Sequence, residues 1–463
     1  MNADLVIKNV RLFAEGTLAD CGVAIKDGKI VAIAEDRCLP DATRVVDGKG
    51  KTLLPGGVDP HVHFRDPSKS ERETFFTGSM AAAAGGVTTV CEHPISLPPP
   101  YSPEILRRRV EIAKAQSVVD FAFFGAAGAD KLDQIPLVAK EGIIAFKTFF
   151  HEPPEGREKE FEGLTMANDG YIYEGFRVVA GTGKRLAVHA ENNDLISYNI
   201  RKFRSEGRVH GRDHADSRPP ISEVEAVAKV LCFAEKLGTR VTLCHISTPE
   251  AAELAKQAKF RGMDVILETC PHYLYLTTDA LDELGPFAKC NPPLRERALM
   301  EKLWDYVTDG SVDIIGSDHS PFLTSEKEKG DKDIFVAPAG FPGIDMRLPL
   351  MATAVKRGRI SLARMVDLIA TNPAKVYGLY PRKGAIRVGA DADLVLIDID
   401  AEFVVDRNKS YCRSKDIARV YDGWKLNGVA LMTVSRGRVV MEDGIVDESA
   451  SGWGEFVVPA VLS

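Results

Sequence analysis

The sequence has no C-x-x-C pair. Its eight cysteines stand singly, which argues against a disulfide framework or a zinc ribbon and for a reducing compartment, the cytoplasm. No apolar run is long enough to span a bilayer. The opening Met1-Asn2-Ala3-Asp4-Leu5-Val6-Ile7-Lys8 is not a charged segment followed by an apolar one, so no signal peptide is expected. Charge of one sign is not in excess either: 59 Lys and Arg against 66 Asp and Glu leave a formal −7. That balance offers no electrostatic reason for nucleic acid or an anionic membrane to be the partner. Short internal repeats and low-complexity tracts are also missing. What is present is ordinary globular composition, 45% hydrophobic and 27% charged over 463 residues. The length suggests roughly three domains, although a barrel passes that size as one unit.

The two ends share one texture. Leu5 to Phe13, Gly22 to Ile25 and Ile30 to Ile33 are short strand-like runs, and Lys26-Asp27-Gly28-Lys29 is a hairpin turn, because Asp and Gly tolerate positive φ. Ala392 to Asp398 and Val434 to Val440 repeat the pattern near the other end. Two separate hairpin modules would account for this. One β-sandwich assembled from both termini accounts for it better, since edge strands need covering. Between the ends, apolar strand-like runs alternate with helical segments such as Glu223 to Leu231, Pro249 to Leu254, and Ala81 to Ala84 closed by Gly85. The strands end near His63, His93, Phe124, Phe149, His189, His245, Cys270 and Asp318. Eight such units are the count that closes a (β/α)8 TIM-type barrel, so the expected class is α/β. The chain then divides into residues 1–54 and 376–463, which form the small β domain, and 55–375, the barrel. Ser320 to Ile344 is the longest unpatterned loop and reads as a lid or binding loop.

Function in such a barrel sits at the carboxyl ends of the strands, and the histidines lie there. His61-Val62-His63 is an alternating pair whose rings both point inward. His189 and His245 each close a buried-looking strand. One histidine at such a place is more often a hydrogen-bonded core residue. Four of them on three strand ends point to a metal site, imidazole being the commonest ligand of zinc. Lys147 ends the run Ile143-Ile144-Ala145-Phe146, where a buried ammonium needs pairing or neutralisation unless it snorkels to the rim. Asp318 ends the eighth strand, as a further ligand or as a helix N-cap.

Pro55-Gly56-Gly57-Val58-Asp59-Pro60-His61-Val62-His63-Phe64-Arg65-Asp66-Pro67 resembles the opening motif of the amidohydrolase superfamily, in the cyclic-amidase branch of dihydroorotases, allantoinases and hydantoinases (dihydropyrimidinases). The resemblance continues in family order through Phe146-Lys147-Thr148, Val188-His189-Ala190-Glu191-Asn192, Ser217-Arg218-Pro219-Pro220, Cys244-His245-Ile246-Ser247, Cys270-Pro271-His272-Tyr273-Leu274, Asn291-Pro292-Pro293-Leu294-Arg295 and Ser317-Asp318-His319-Ser320-Pro321. It implies two divalent metal ions, usually Zn2+. His61, His63 and Asp318 would hold one; His189 and His245 the other. Lys147, carboxylated by CO2, would bridge them as a carbamate, and Asp318 would be the catalytic proton shuttle. The implied reaction is hydrolytic opening of a cyclic amide or ureide by a homodimer or homotetramer.

The markers of substrate conflict. Arg65 matches the arginine with which dihydroorotases clamp a substrate carboxylate, and a guanidinium fork suits that group; a rim salt bridge with Asp66 is the other use. Asn291 also fits the dihydroorotase pattern. His93-Pro94-Ile95-Ser96 and Phe322 depart from it, and Glu92-His93-Pro94-Ile95, Lys289-Cys290 and Cys270-Pro271-His272-Tyr273 look more like allantoinases and hydantoinases. A carboxylated, dihydroorotase-like ring ranks first because a neutral ring leaves Arg65 nothing to pair with; allantoin, then hydantoins, follow. Some members of the superfamily lose the ligands and serve as scaffolds. Here all six ligand positions are filled, which argues for an enzyme.

Overall fold

A computed structural model describes residues 2–460. Eight strands, Gly57–Val62, Val87–Glu92, Asp120–Ala126, Ala145–Phe149, Leu186–His189, Val241–Leu243, Val265–Thr269 and Ile314–Ile315, hydrogen-bond in chain order. All their pairings are parallel. The last strand returns to the first through a parallel bridge between Val62 and His319, with the His63 N–H donating to the His319 carbonyl at 2.8 Å. That contact closes the barrel beside two of the histidines. The strands are buried along most of their length, as helices on the outside and packed side chains within require.

The connecting helices start where the sequence supplies caps. Thr74, Ser102, Asn168 and Thr248 accept N–H groups from the first turns of Phe75–Ala84, Pro103–Gln116, Asp169–Thr182 and Pro249–Phe260. The alanine-rich helix stops at Gly85 as expected, and Gly86 behind it takes the left-handed conformation at φ 75°. Among the described residues no helix is long and apolar enough to cross a membrane.

The two ends of the chain meet in one nine-stranded sheet. Ala42–Pro55 pairs antiparallel with Leu394–Val404, which joins the N-terminal strands to the C-terminal ones. Asp27 and Gly28 both have positive φ (49° and 74°), the backbone of the expected hairpin turn. Leu5, Ile7, Val23 and Ile25 share an apolar core with Leu394, Leu396, Met432 and Val434, so each terminus supplies part of one β domain. Ionic contacts tie this domain to the barrel at the amino-terminal end of the third barrel strand. There Lys383 contacts Asp120, Asp391 (2.9 Å) and Asp393 (2.7 Å).

The loop from Ser320 to Ile344 holds only short helical turns, Thr324–Lys327, Glu328–Asp331 and Ile334–Val336. Buried Lys289 anchors it, donating from Nζ to the carbonyls of Ile334 (2.7 Å), Phe335 (3.3 Å) and Ala337 (2.6 Å).

Candidate metal centre

Strand alternation turns His61 and His63 to the same side, with ring centroids 5.2 Å apart. Asp318 reaches the pair from the end of the eighth strand. Its Oδ1 lies 3.4 Å from His61 Nε2 and 3.2 Å from His63 Nε2. Across the pocket His189 Nδ1 faces His245 Nε2 at 3.1 Å, and the His245 ring is 5.3 Å from that of His61. Lys147 projects from the fourth strand, fully buried, with no hydrogen-bond partner for its Nζ. It neither snorkels to the rim nor finds a carboxylate.

Electrostatics follow from this crowding. Burial is the first cause that pushes His61, His63, His189 and His245 below the ordinary histidine range; Lys147 adds to it in all four, while Glu191 pulls His189 the other way, and the net direction favours neutral rings that keep a lone pair. Burial pushes Asp318 up to about 7, with Lys147 and Arg65 pulling the other way. Asp318 and His245 also hold left-handed backbones (φ 48° and 41°), as does Arg65 (φ 66°). Such residues cost on the order of 1–3 kcal/mol each and collect at functional sites. The Asp318 backbone is therefore not that of a helix N-cap.

Two buried acidic side chains stand behind the histidines: Glu191, and Glu268, which burial pushes up to about 8 while Lys147 pulls the other way. His61 Nδ1–H donates to Glu268 Oε1 at 2.7 Å, and His189 Nε2–H to Glu191 Oε2 at 2.9 Å. Burial works against the Glu191 anion, but Arg218 and His189 hold it well below the usual carboxylate range. The nitrogens left toward the pocket are thus Nε2 of His61 and Nδ1 of His189. Arg295 backs Arg218, donating from Nη1 to its carbonyl at 2.5 Å, and also donates from Nε to Ser247 Oγ at 2.9 Å on the loop after the sixth strand. Neutral imidazoles with inward lone pairs, a carboxylate and no internal proton donor for His61 Nε2 form a donor set suited to divalent cations.

The amidohydrolase family model matches residues 52–440. The chain belongs to the amidohydrolase family. An L-hydantoinase of Paenarthrobacter aurescens is 35% identical over 458 residues, 98% of each chain. An allantoinase of Solibacter usitatus is 35% identical over 97% of this chain and 96% of its own. Among solved structures, an L-hydantoinase (dihydropyrimidinase) from Arthrobacter aurescens superposes with a TM-score of 0.93 at 34% identity, covering 98% of this chain and 100% of that one. A D-hydantoinase does so with a TM-score of 0.89 at 32% identity, covering 98% of each.

In this amidohydrolase all six ligand-type residues named from the sequence converge on one pocket. Arg65 lies beside them, 1% exposed. Its guanidinium donates to Ser320 Oγ and stands 4.8 Å from the Phe322 ring, while Nε and Nη1 have no partner. The rim salt bridge with Asp66 does not form, because Asp66 accepts from Ser70 Oγ and the Phe75 N–H. Arg72 and Arg157 crowd the same ring at 4.9 Å and 5.2 Å. They share two carboxylates: Arg72 pairs with Glu326 (2.6 Å) and Glu160 (3.1 Å), Arg157 with Glu160 (2.6 Å). Three guanidiniums meet two carboxylates, and among the described residues none pairs with Arg65. Burial, then Arg157 and Arg72, bring Arg65 down to about 9. Asn291 Oδ1 is also buried without a partner.

Glu191, Arg218 and Arg295 carry no signal of their place in the site along the chain, although all three lie within the family motifs. Glu268 lies outside those motifs, and a carboxylate closing the apolar run Val265-Ile266-Leu267 is its available signal. His93, taken as a substrate marker, stacks on His61 at 3.6 Å and donates from Nε2 to the Pro60 carbonyl.

Proposed function

We propose that this amidohydrolase opens a cyclic amide or ureide by hydrolysis of a ring C–N bond, using two divalent ions. The observation that carries the reading is the convergence of four neutral histidines, Asp318 and an unpaired buried lysine in one pocket. His61, His63 and Asp318 would hold one ion, and His189 and His245 the other. Reaction of the Lys147 amine with CO2, with loss of a proton, would replace a buried cation that repels both ions by a carbamate anion able to serve as a ligand. Zinc is the natural occupant of an imidazole and carboxylate set. Bound ions supply a nucleophile from water at neutral pH and polarise the amide carbonyl. Asp318 accepts one proton of the attacking water and delivers it to the departing ring nitrogen, and the new carboxylic acid releases the other to solvent, so that ring opening yields a carboxylate and a free N–H. Eight free cysteines fit a reducing compartment such as the cytoplasm, and a homodimer or homotetramer is the assembly we propose.

The relatives move hydantoin- and allantoin-type rings ahead of dihydroorotate in order of preference. Arg65 keeps the acidic ring as a second reading, since a buried guanidinium lacking a counter-ion calls for an anion and Asn291 offers a further polar contact. A hydrolysis screen over hydantoins, allantoin, dihydrouracil and dihydroorotate, with metal analysis of the same preparation, tests both. About two ions per chain and turnover of at least one neutral ring support the main reading; active protein with one ion or none overturns it. Arg65→Met is expected to lower kcat/KM for an acidic ring by roughly 2–4 kcal/mol and to leave a neutral ring nearly unchanged. Equal effects on both rings would remove Arg65 from substrate recognition.

A further inference from the structure

Glu268 lies behind the ligands, fully buried at the end of the seventh barrel strand, and the chemistry above gives it no step. A single oxygen, Oε1, accepts both the His61 Nδ1–H at 2.7 Å and the backbone N–H of His245 at 3.0 Å. The other oxygen has no partner. Room for this arrangement depends on Gly316, where a Cβ would stand 2.8 Å from His61 Cβ and 3.4 Å from Glu268 Cδ. His61, Cys244 and Glu268 bring ligand-type atoms within 4.8 Å of one another and so resemble a metal site themselves. The hydrogen bonds that already occupy Glu268 Oε1, from His61 Nδ1 and the His245 N–H, speak against that use.

We infer that Glu268 is a positioning residue that sets a ligand of each ion through one carboxylate oxygen. It holds His61 as the Nδ1–H tautomer with Nε2 turned to the pocket, and it pins the left-handed turn (φ 41°) that carries the His245 ring. This rests on the two-ion reading. A carboxylate on the far nitrogen of a ligand histidine orients the ring and raises the basicity of the ligating nitrogen, and losing such a partner costs roughly 10–100-fold in metal affinity or activity. Tying His61 and His245 to the same atom also couples the halves of the site, since loss of Oε1 releases both.

The test compares the full-length chain with Glu268→Gln, Glu268→Asp and Glu268→Met. Gln keeps an acceptor oxygen at the same reach, Asp withdraws it by one methylene, and Met fills the volume without an acceptor. Zinc release to excess chelator is expected to be roughly 10–100-fold faster in Met, intermediate in Asp and within about 3-fold of wild type in Gln. In the metal-free proteins, long-range 1H–15N spectra of the His61 ring are expected to show the Nδ1–H tautomer in wild type and Gln, and a mixture in Met. Equal release from all folded variants, or an unchanged His61 tautomer in Met, overturns the inference. Should Met fail to fold, Asp against Gln decides on the same two readouts. A wild-type chain that binds no zinc sinks the two-ion reading instead, and the tautomer in metal-free protein still judges Glu268.

Discussion

Two buried polar clusters in this molecule look alike as collections of residues and differ in whether their charges are met. Where the β domain meets the barrel, Asp120, Asp391 and Asp393 bring carboxylate oxygens within 4.8 Å, close enough to hold an ion. Lys383 already sits among them, touching all three. Arg436 adds to Asp120, and Lys29 and Arg382 to Asp391. At the other end of the strands His61, His63 and Asp318 form a cluster of the same size. Its nearby ammonium, Lys147, has no hydrogen bond and no carboxylate, only the Phe149 ring 4.9 Å away. Burying charge is costly in both places, but only the lower cluster offsets the cost internally. Burial by itself therefore does not mark the functional site; here the mark is a fully buried lysine with neither a hydrogen bond nor a carboxylate, beside four buried histidines.

The largest expected effects come from exchanging the roles of the two lysines. Lys147→Ala should lose both ions and lower activity by roughly 10³-fold or more, the several kcal/mol that bound ions contribute. Short carboxylic acids, standing in for a bridging carbamate, should partly restore activity, whereas Lys147→Arg should stay inactive because a fixed cation repels both ions. An active Arg variant would break the comparison. Lys383→Met should do the opposite, retaining ions and turnover while costing about 3–5 kcal/mol of unfolding free energy, because three carboxylates lose their shared cation. Denaturant titration with metal analysis reads both quantities; loss of ions at unchanged stability would contradict the contrast. Next, Asp318→Asn should reduce turnover on the order of 10²-fold. Wild-type turnover in that variant, with its ions kept, would take Asp318 out of proton transfer.

The mouth of the site lies between the extremes, with Arg72 and Arg157 paired and Arg65 not. Burial favours neutral Glu160, yet Arg157 and Arg72 hold it down at about 2. A carboxylate depressed in the folded state stabilises fully above its ordinary range near 4.5 and progressively less as the pH falls toward 2. Acid titration of unfolding should therefore show a Glu160-dependent loss of about 2–3 kcal/mol in that window. In Glu160→Gln that part of the acid dependence should be missing; an unchanged profile would mean that the two arginines do not stabilise the Glu160 anion in solution.

Local pattern determined much of this protein. The Asp27-Gly28 turn, the alternation of strand and helix and the histidines at strand ends all follow from preferences expressed within a few residues: positive φ at Asp and Gly, a two-residue period in strands, apolar faces on helices. Motif spacing along the chain likewise made the six ligand-type residues legible before any of them had neighbours. Their partners were not legible. Glu268 meets His61 across 207 positions and Lys383 meets Asp120 across 263. Phe322 gathers guanidiniums from positions 65, 72 and 157. Such pairings exist because closing the barrel brings all eight strand ends around one pocket and seats the β domain against its other end. Which buried charge finds a partner, and which is left for something from outside, is therefore decided by three-dimensional distance, which spacing along the chain does not encode.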